Sequence, residues 1–496
     1  MRILLTNSPL HFSHGHTFTQ SDWQTLILPY LAGIIGNKHE IKLVDNMHYS
    51  FFKSTNIINE IRAFRPDIVG FSIIASRDIF NTIDIIKKVR REYRGIIIAG
   101  GQAATYYNEW LLKSGVNFVI HHEAEATLKE LIDSIEKGIS DCSKIKGISY
   151  INIEKGVSDC SKIKGISYIN NGTLKKTEER PMIKNLDDAP LPRYDLMPKI
   201  KSKWFPGRYT GSIEMSRGCP FDCNFCAITA FWKRTFRQKS NERIIKELKI
   251  LKSQNRTHVY LADDNFGMNA GKQIELFKEM IKEGLNIKFF AQIRTDTIAN
   301  NPEMIKWAAK AGLYGVLVGF DTYEPKMFND ITKTTSKELN IKAANILRKN
   351  KIAIFGCHIY GLPTQKTPRE FFITFKLGRK YSDLFRMPHF SPLPFTKNYE
   401  KYVKVNPDNK NFDIERKDIN KYKKDFRPRV GDEKQQKLMT RGYYIFNWRH
   451  NLSFDEFFKM LFHPNPNVRR FKRQGYIGVL RHYSYRFLRR LKLTDI

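Results

Sequence analysis

The chain has 496 residues, with 84 lysines and arginines against 50 aspartates and glutamates, for a formal net charge of +34. A hydrophobic share of 41% supports sizeable cores, which excludes a disordered chain, and the length is enough for two or three domains. No stretch reaches the roughly 18 to 20 uninterrupted apolar residues that span a bilayer, and the charge excess raises nucleic acid, anionic lipid or acidic metabolites without choosing among them. Six cysteines in no regular framework, and no secretory leader at Met1 to Asn7, point to a cytoplasmic, reducing location where thiolates stay available.

Residues 1–138 alternate short apolar runs with helical periodicity. Strands are expected at 2–6, 40–44, 68–72, 96–99 and 118–120, and helices at 24–35, 55–64, 78–91, 108–113 and 125–135. The alternation reads as a parallel α/β domain of the Rossmann-like, flavodoxin-like kind, whose ligands bind at the carboxyl ends of the strands. Ser72, Gly100 and Gly101 are small residues at those ends, with Ile74 close by, and they let a large flat cofactor approach the backbone. His11, His14 and His16 are read as lining a cleft or facing solvent, because their spacing matches no metal pattern.

Residues 135–152 recur as 153–170 with one difference, Ile139 against Val157. Two units are too few for a solenoid, so a tandem duplication within a linker (139–195) is expected, one copy forming a strand and the other an extra hairpin or loop. Cys142 and Cys160 are copies of each other and are set aside as ligands. Residues 171–192 read as an extended connector, with Pro181, Pro190 and Pro192 blocking regular structure.

A strand-like run at 211–217 leads into Cys219-Pro220-Phe221-Asp222-Cys223-Asn224-Phe225-Cys226. Three thiolates at C-x3-C-x2-C spacing reach three corners of a cubane and leave one iron open, whereas a zinc knuckle would recruit a fourth ligand. The next cysteine, Cys357, lies far downstream in an apolar run. Strands are expected at 211–217, 257–263, 287–293, 314–320, 352–360 and 384–391, with helices at 241–253, 271–283, 302–311, 336–349 and 368–381. Six strands and five helices over 196–395 make a partial (β/α)6 barrel with its chemistry at the strand carboxyl ends. Those ends carry Asp263, Asp264 and Asn265, then Gln292 and Arg294, then Asp321, then Gly361. The carboxylates offer acceptors to a cation and Arg294 offers donors to a carboxylate, although the same residue types also serve strand-to-helix turns.

Residues 396–496 read as a small, basic, mainly helical extension. Within 476–492, Ile477, Leu480, Phe487 and Leu491 fall on one helix side and Arg481, Arg486, Arg489 and Arg490 elsewhere. Such a helix lies on anionic lipid or docks its apolar stripe on the barrel.

The cysteine loop with an aromatic before its last cysteine, together with Asp263-Asp264-Asn265-Phe266, resembles the radical S-adenosylmethionine (SAM) superfamily over about residues 196–395. Ser72-x-Ile74 followed by Gly100-Gly101 resembles the cobalamin-binding domain that precedes many radical SAM modules. The resemblance implies a [4Fe-4S] cluster on Cys219, Cys223 and Cys226. It implies SAM against Phe225, Asp263, Asp264, Asn265, Gln292, Arg294, Asp321 and Gly361, and cobalamin against Ser72, Ile74, Gly100, Gly101 and Glu123. The sequence departs from the family in three places. No Asp-x-His-x-x-Gly follows the first strand, which implies a cobalt without a protein histidine below it. His122-Glu123-Ala124-Glu125 replaces Gly-Glu-Gly-Glu, and Asp321 replaces the usual glutamate.

The activity implied is methylation of an unactivated carbon on a small or lipid-like substrate, with magnesium-protoporphyrin cyclase-type oxidation as the alternative. The implied partners are a low-potential donor such as flavodoxin or ferredoxin and, through the basic tail, the membrane surface. RNA-modifying methylthiotransferases carry a second cysteine trio near the amino terminus, whereas residues 1–140 hold no cysteine, so nucleic acid is not an expected partner. A non-catalytic scaffold is not expected to keep both the cysteines and the strand-end residues.

Overall fold

A computed structural model describes residues 1–8, 23–46, 57–136, 148–151, 166–170, 173–176, 179–401, 438–439, 441–442, 461–463 and 465–469. His11, His14, His16, Cys142, Cys160 and the basic helix expected at 476–492 lie outside the described residues. The chain divides into two compact units, one built mainly on Gln24–Lys199 and the other on Ile200–Glu415.

The first unit carries β1 (Arg2–Asn7), β2 (Glu40–Val44), β3 (Ile68–Ser72), β4 (Ile96–Gly100) and β5 (Phe118–Ile120), parallel in the order β2-β1-β3-β4-β5. This is the flavodoxin-like order, and its direction reverses between β1 and β3, where such sheets bind ligands. Around it run α1 (Ile27–Ile35), α2 (Ile57–Phe64), α3 (Ile79–Glu92), α4 (Gln102–Tyr106), α5 (Asn108–Lys113) and α6 (Glu125–Glu136). Alternate strand residues feed two cores. Leu4, Val69, Ile97 and Val119 pack with Ile61, Ile83 and Leu111, while Ile3, Leu5, Ile68 and Ile98 pack with Leu28, Ile34 and Leu131. Both faces are covered, which is why these strands read as unbroken apolar runs.

The sheet continues through β6 (Ile148–Ile151), β7 (Ile166–Asn170) and β8 (Thr173–Lys176). β6 runs antiparallel to β5, and β7 runs parallel to β6 with Ile148 opposite Ile166 and Tyr150 opposite Tyr168. The two copies of the repeat therefore pair with each other in register. The first copy thus supplies a strand, and the second supplies β7, which forms a hairpin with β8 and also pairs with the first copy. The open edge of β5 templates the first Ile-Ser-Tyr-Ile, and the edge this creates templates its identical twin. β8 likewise puts a strand into the stretch expected to be an extended connector.

In the second unit, β9 (Thr210–Ile213) is followed by a hairpin of β10 (Ser216–Gly218) and β11 (Phe236–Gln238). Then come β12 (His258–Leu261), β13 (Lys288–Arg294), β14 (Leu313–Asp321), β15 (Ala353–His358) and β16 (Leu384–Arg386). β9-β12-β13-β14-β15-β16 form one all-parallel six-stranded sheet in chain order, the partial barrel. The helices are α7 (Ala227–Phe231), α8 (Asn241–Ser253), α9 (Ala270–Lys282), α10 (Thr295–Asn300), α11 (Pro302–Ala311), α12 (Pro325–Ile331), α13 (Lys337–Lys349) and α14 (Phe372–Tyr381).

Ser240, Asn269 and Ser336 cap α8, α9 and α13 by accepting the amides of Arg243, Lys272 and Leu339. α11 opens on Pro302 and stops at Gly312, which has φ 118°, and a Cβ there would lie 1.9 Å from the Ile287 carbonyl oxygen. The run expected as one strand over 211–217 bends after Ile213, and the strand expected over 384–391 ends at Arg386. At the amino-terminal end of the sheet, Trp204, Phe205, Phe290 and Tyr314 pack around buried His258. His258 sits 2.9 Å from Ser202 Oγ and 2.8 Å from Tyr314 OH, and burial lowers its pKa to about 3, so it is neutral there. Among the described residues no helix is long and apolar enough to cross a membrane.

Because β7 repeats β6 and pairs antiparallel with β8, deleting residues 153–170 lets β6 take over that pairing. The shortened chain is expected to fold with an unchanged circular dichroism spectrum and a melting temperature within a few degrees of the parent. Loss of folded protein would contradict this.

Candidate cofactor sites

The cysteine loop leaves β10 at Gly218, which has φ 84° and lies so close to the hairpin that a Cβ would meet the Thr235 carbonyl oxygen at 2.2 Å. Cys219 and Cys223 are each 8% exposed, and half-buried Cys226 occupies the N-cap position of α7. The Cys226 amide donates to the Cys223 carbonyl at 3.1 Å, closing a turn between the last two cysteines. Asn265 Nδ2 lies 3.7 Å from Cys219 Sγ, and Arg294 Nη1 lies 3.5 Å from Cys223 Sγ. Two strand ends thus aim N–H donors at two of the three sulfurs.

Burial raises the pKa of the Cys219 thiol, and it pushes Cys226 up to about 11. Negative charge on the neighbouring sulfurs raises both further. Thiols raised in this way ionise when a metal supplies positive charge, as cluster irons do. Among the described residues, no three His, Cys, Asp or Glu side chains converge as ligands of a single metal ion. Donors to a cluster bind different irons and need not converge on one point. Cys357 belongs to β15, and burial pushes its thiol to about 11. Its charged neighbours are Arg386, Asp321 and Lys333 rather than the loop thiols.

The residues at the strand ends divide between bracing the loop and facing outward. Asp263 is 1% exposed, and its carboxylate accepts the Met215 amide at 2.7 Å and the Ser216 hydroxyl at 2.5 Å. It therefore fixes the bend between β9 and β10, which is why the expected single strand breaks there. Asp264 accepts the Gly218 amide at 3.1 Å. Burial raises Asp263 to about 7 and Asp264 to about 6.

Arg294 stands at the end of β13, beside the cysteine loop. Its guanidinium pairs with Asp296 at 2.7 Å, donates to the Cys223 sulfur and stacks 3.6 Å from the Phe221 ring centroid. Asp321, at φ 59°, forms a buried ion pair with Lys333, which also donates to the Gly319 carbonyl. Lys333 escaped sequence reasoning because it lies in a short polar run, 332–336, with no periodic signal.

Asn265 is buried, and its Oδ1 has no partner among the described residues. Gln292 donates to Tyr260 OH. Gly361, at φ 76°, donates its amide to Gln365 Oε1 at 2.7 Å. Phe225 packs half-buried against Met327, Ile331, Ile359, Leu362 and Phe390.

In the first unit, Ser72 and Gly100 end adjacent strands and stand opposite each other in register. The Ser72 hydroxyl is buried without a partner among the described residues, and Ile74 beyond it is 53% exposed. Gly101, at φ 104°, approaches Ile73 so closely that a Cβ would meet its carbonyl oxygen at 2.6 Å. An unsatisfied hydroxyl, an exposed apolar side chain and bare backbone fit the face of a flat cofactor such as cobalamin. The Glu123 carboxylate accepts the Ile183 amide at 2.7 Å and so holds the segment that follows β8.

The family description "Radical SAM superfamily" matches residues 213–374, and "B12 binding domain" matches residues 18–132. An uncharacterized methyltransferase of Pyrococcus horikoshii is 29% identical over 379 residues, covering 75% of this chain and 77% of that protein. The anaerobic magnesium-protoporphyrin IX monomethyl ester cyclase of Rubrivivax gelatinosus is 25% identical over 409 residues, covering 80% and 69%. Among solved structures, the radical SAM methyltransferase TsrM of Kitasatospora setae, with cobalamin and a [4Fe-4S] cluster bound, aligns with a TM-score of 0.61 at 17% identity. That alignment covers 81% of this chain and 74% of that one. The cobalamin-dependent radical SAM enzyme OxsB aligns with a TM-score of 0.66 at 17% identity, over 100% and 76%. The chain belongs to the radical SAM enzymes that carry a B12-binding domain ahead of the radical SAM domain.

Proposed function

We propose that the protein methylates an unactivated carbon of a small or lipid-like substrate, with Cys219, Cys223 and Cys226 as the cluster ligands. When bound, the [4Fe-4S] cluster, SAM and cobalamin supply reductive SAM cleavage and the methyl donor, with electrons from a low-potential carrier such as flavodoxin or ferredoxin. The observation that carries this reading is the cysteine trio, two buried and one half-buried, at the carboxyl end of a parallel sheet, with Asn265 and Arg294 donating to two of its sulfurs. N–H donors on sulfur lower the energy of the charged form and tune a cluster. Relatives named as methyltransferases, and a hopanoid C-3 methylase of Methylococcus capsulatus that is 27% identical over 325 residues, support methyl transfer.

In this reading Asp263 and Asp264 hold the loop in place. Asn265 Oδ1 is open to an ammonium donor, and Phe225, Gln292, Asp321 and Gly361 border the SAM site. Arg294 serves the cluster side. Ser72, Ile74, Gly100 and Gly101 take the cobalamin face, and Glu123 supports them at a distance. The cyclase relatives favour a second reading, oxidative radical chemistry without methyl transfer. The basic residues of 476–492 suit a membrane-facing, lipid-like substrate.

Reconstituted enzyme given SAM labelled in its methyl group is expected to place label in the product; unlabelled product alongside 5′-deoxyadenosine would favour cyclase chemistry. Asp263→Asn tests the brace. Burial raises the Asp263 pKa from 3.8 to about 7, so its neutral form stabilises the fold fully below pH 3.8, and this contribution is lost as pH rises through 7. The variant is expected to flatten the fall in melting temperature between pH 4 and pH 7 that the parent shows. An unchanged profile would contradict the assignment.

A further inference from the structure

Asn224, between the last two cysteines, uses all four of its polar groups. Its amide donates to Thr332 Oγ1 at 3.0 Å and its Nδ2 donates to the Asp330 carbonyl at 2.9 Å. Its carbonyl accepts the Asn398 amide at 3.1 Å, and its Oδ1 accepts Asn398 Nδ2 at 3.0 Å. Thr332 also donates to the Asp222 carbonyl at 3.3 Å. The cysteine loop is therefore gripped from two sides. One side is the end of α12, itself fastened by Thr364, whose amide reaches Asp330 Oδ2 at 3.2 Å. The other is a short segment lying past the last strand of the six-stranded sheet and past the matched radical SAM region, which ends at residue 374.

That segment is built to hold Asn398 still. Thr396 caps it by accepting the Tyr399 amide at 3.1 Å, and Asn398 is 3% exposed. The loop also makes ion pairs, Asp222 with Lys397 at 2.5 Å and with Arg234 at 2.6 Å. All three of those side chains are about half exposed, so solvent screens the pairs and the grip rests chiefly on the part-buried bonds of Asn224 to Asn398 and to the Asp330 carbonyl.

We infer that Asn398 is a positioning residue for the cluster. Its doubly bonded amide pair with Asn224 fixes the backbone between Cys223 and Cys226, so residues outside the barrel set how firmly the cluster is held. This rests on the cluster reading proposed above. Asn398→Asp keeps the shape and the backbone bond but turns the Nδ2 donor into an acceptor facing Asn224 Oδ1. Thr332→Val removes the opposite grip with little change in shape.

The test is release of iron from the anaerobically reconstituted full chain to an excess of chelator, followed by loss of the cluster's visible absorbance. Melting of the iron-free protein is the folding control. Each variant is expected to load iron, to melt with the parent when iron-free, and to lose iron faster: about fivefold or more in Asn398→Asp, as loss of one largely buried hydrogen bond implies, and by less in Thr332→Val, whose bonds are exposed. The paramagnetic spectrum of the reduced cluster is expected to broaden in Asn398→Asp. Release rates and spectra equal to the parent's would overturn the inference. So would faster release fully matched by a lower melting temperature of the iron-free protein, since that is a folding defect alone. A parent chain that takes up no iron would overturn the cluster reading, and the inference with it.

Discussion

Three thiols held on one loop at the mouth of a parallel sheet, two buried and one half-buried, are the constraint on which the rest of the second unit depends. Burial opposes ionisation of Cys219 and Cys226, and charge on the neighbouring sulfurs opposes it further. Among the described residues, the fold sets two N–H donors against the sulfurs. It supplies an arginine already neutralised by Asp296 and an uncharged amide, Asn265. The remaining charge compensation is left to a metal, which is how a protein stores affinity for a cluster in a preorganised site.

The other residues near the loop follow from that demand. A loop carrying three ligands must keep its shape while SAM and substrate come and go, and its own sequence, with one proline and no helix until Ala227, cannot ensure this. Asp263 and Asp264 tie its entry to the end of β12. Gly218 lets it pass against the β10–β11 hairpin, and Asn224 ties its middle to α12 and to the segment after the barrel. Residues of the type that binds a ligand elsewhere are spent here on backbone amides. In the first unit the balance is reversed. Ser72 keeps an unsatisfied hydroxyl beside bare glycine backbone, which suits a broad face bound by many weak contacts rather than by one ligand bond.

The sheets were readable from the sequence because parallel strands covered on both faces leave continuous apolar runs, as at 68–72 and 96–99, and helices of ten or more residues show their period. What stayed hidden is short or non-local. α4, α7, α10 and α12 span five to seven residues, too few for a period to emerge. The bend after Ile213 depends on Asp263, which is distant in sequence and arrives only when β12 pairs with β9. Arg294 pairs with Asp296, two residues on, a contact that the strand-end pattern does not reveal. The fate of the duplicated segment turned on the open edge of β5, which pattern reading within either copy does not reveal. The cysteine spacing, by contrast, is a local code, and all three residues stand between β10 and α7, past the carboxyl end of the first barrel strand.

Metal and sulfide analysis of protein purified without oxygen decides whether the three cysteines hold a cluster. About four irons and four acid-labile sulfides per chain are expected, with about one cobalt when cobalamin is supplied. Stoichiometric zinc without sulfide, or iron retained equally after Cys219, Cys223 and Cys226 are all replaced by alanine, would contradict the cluster assignment.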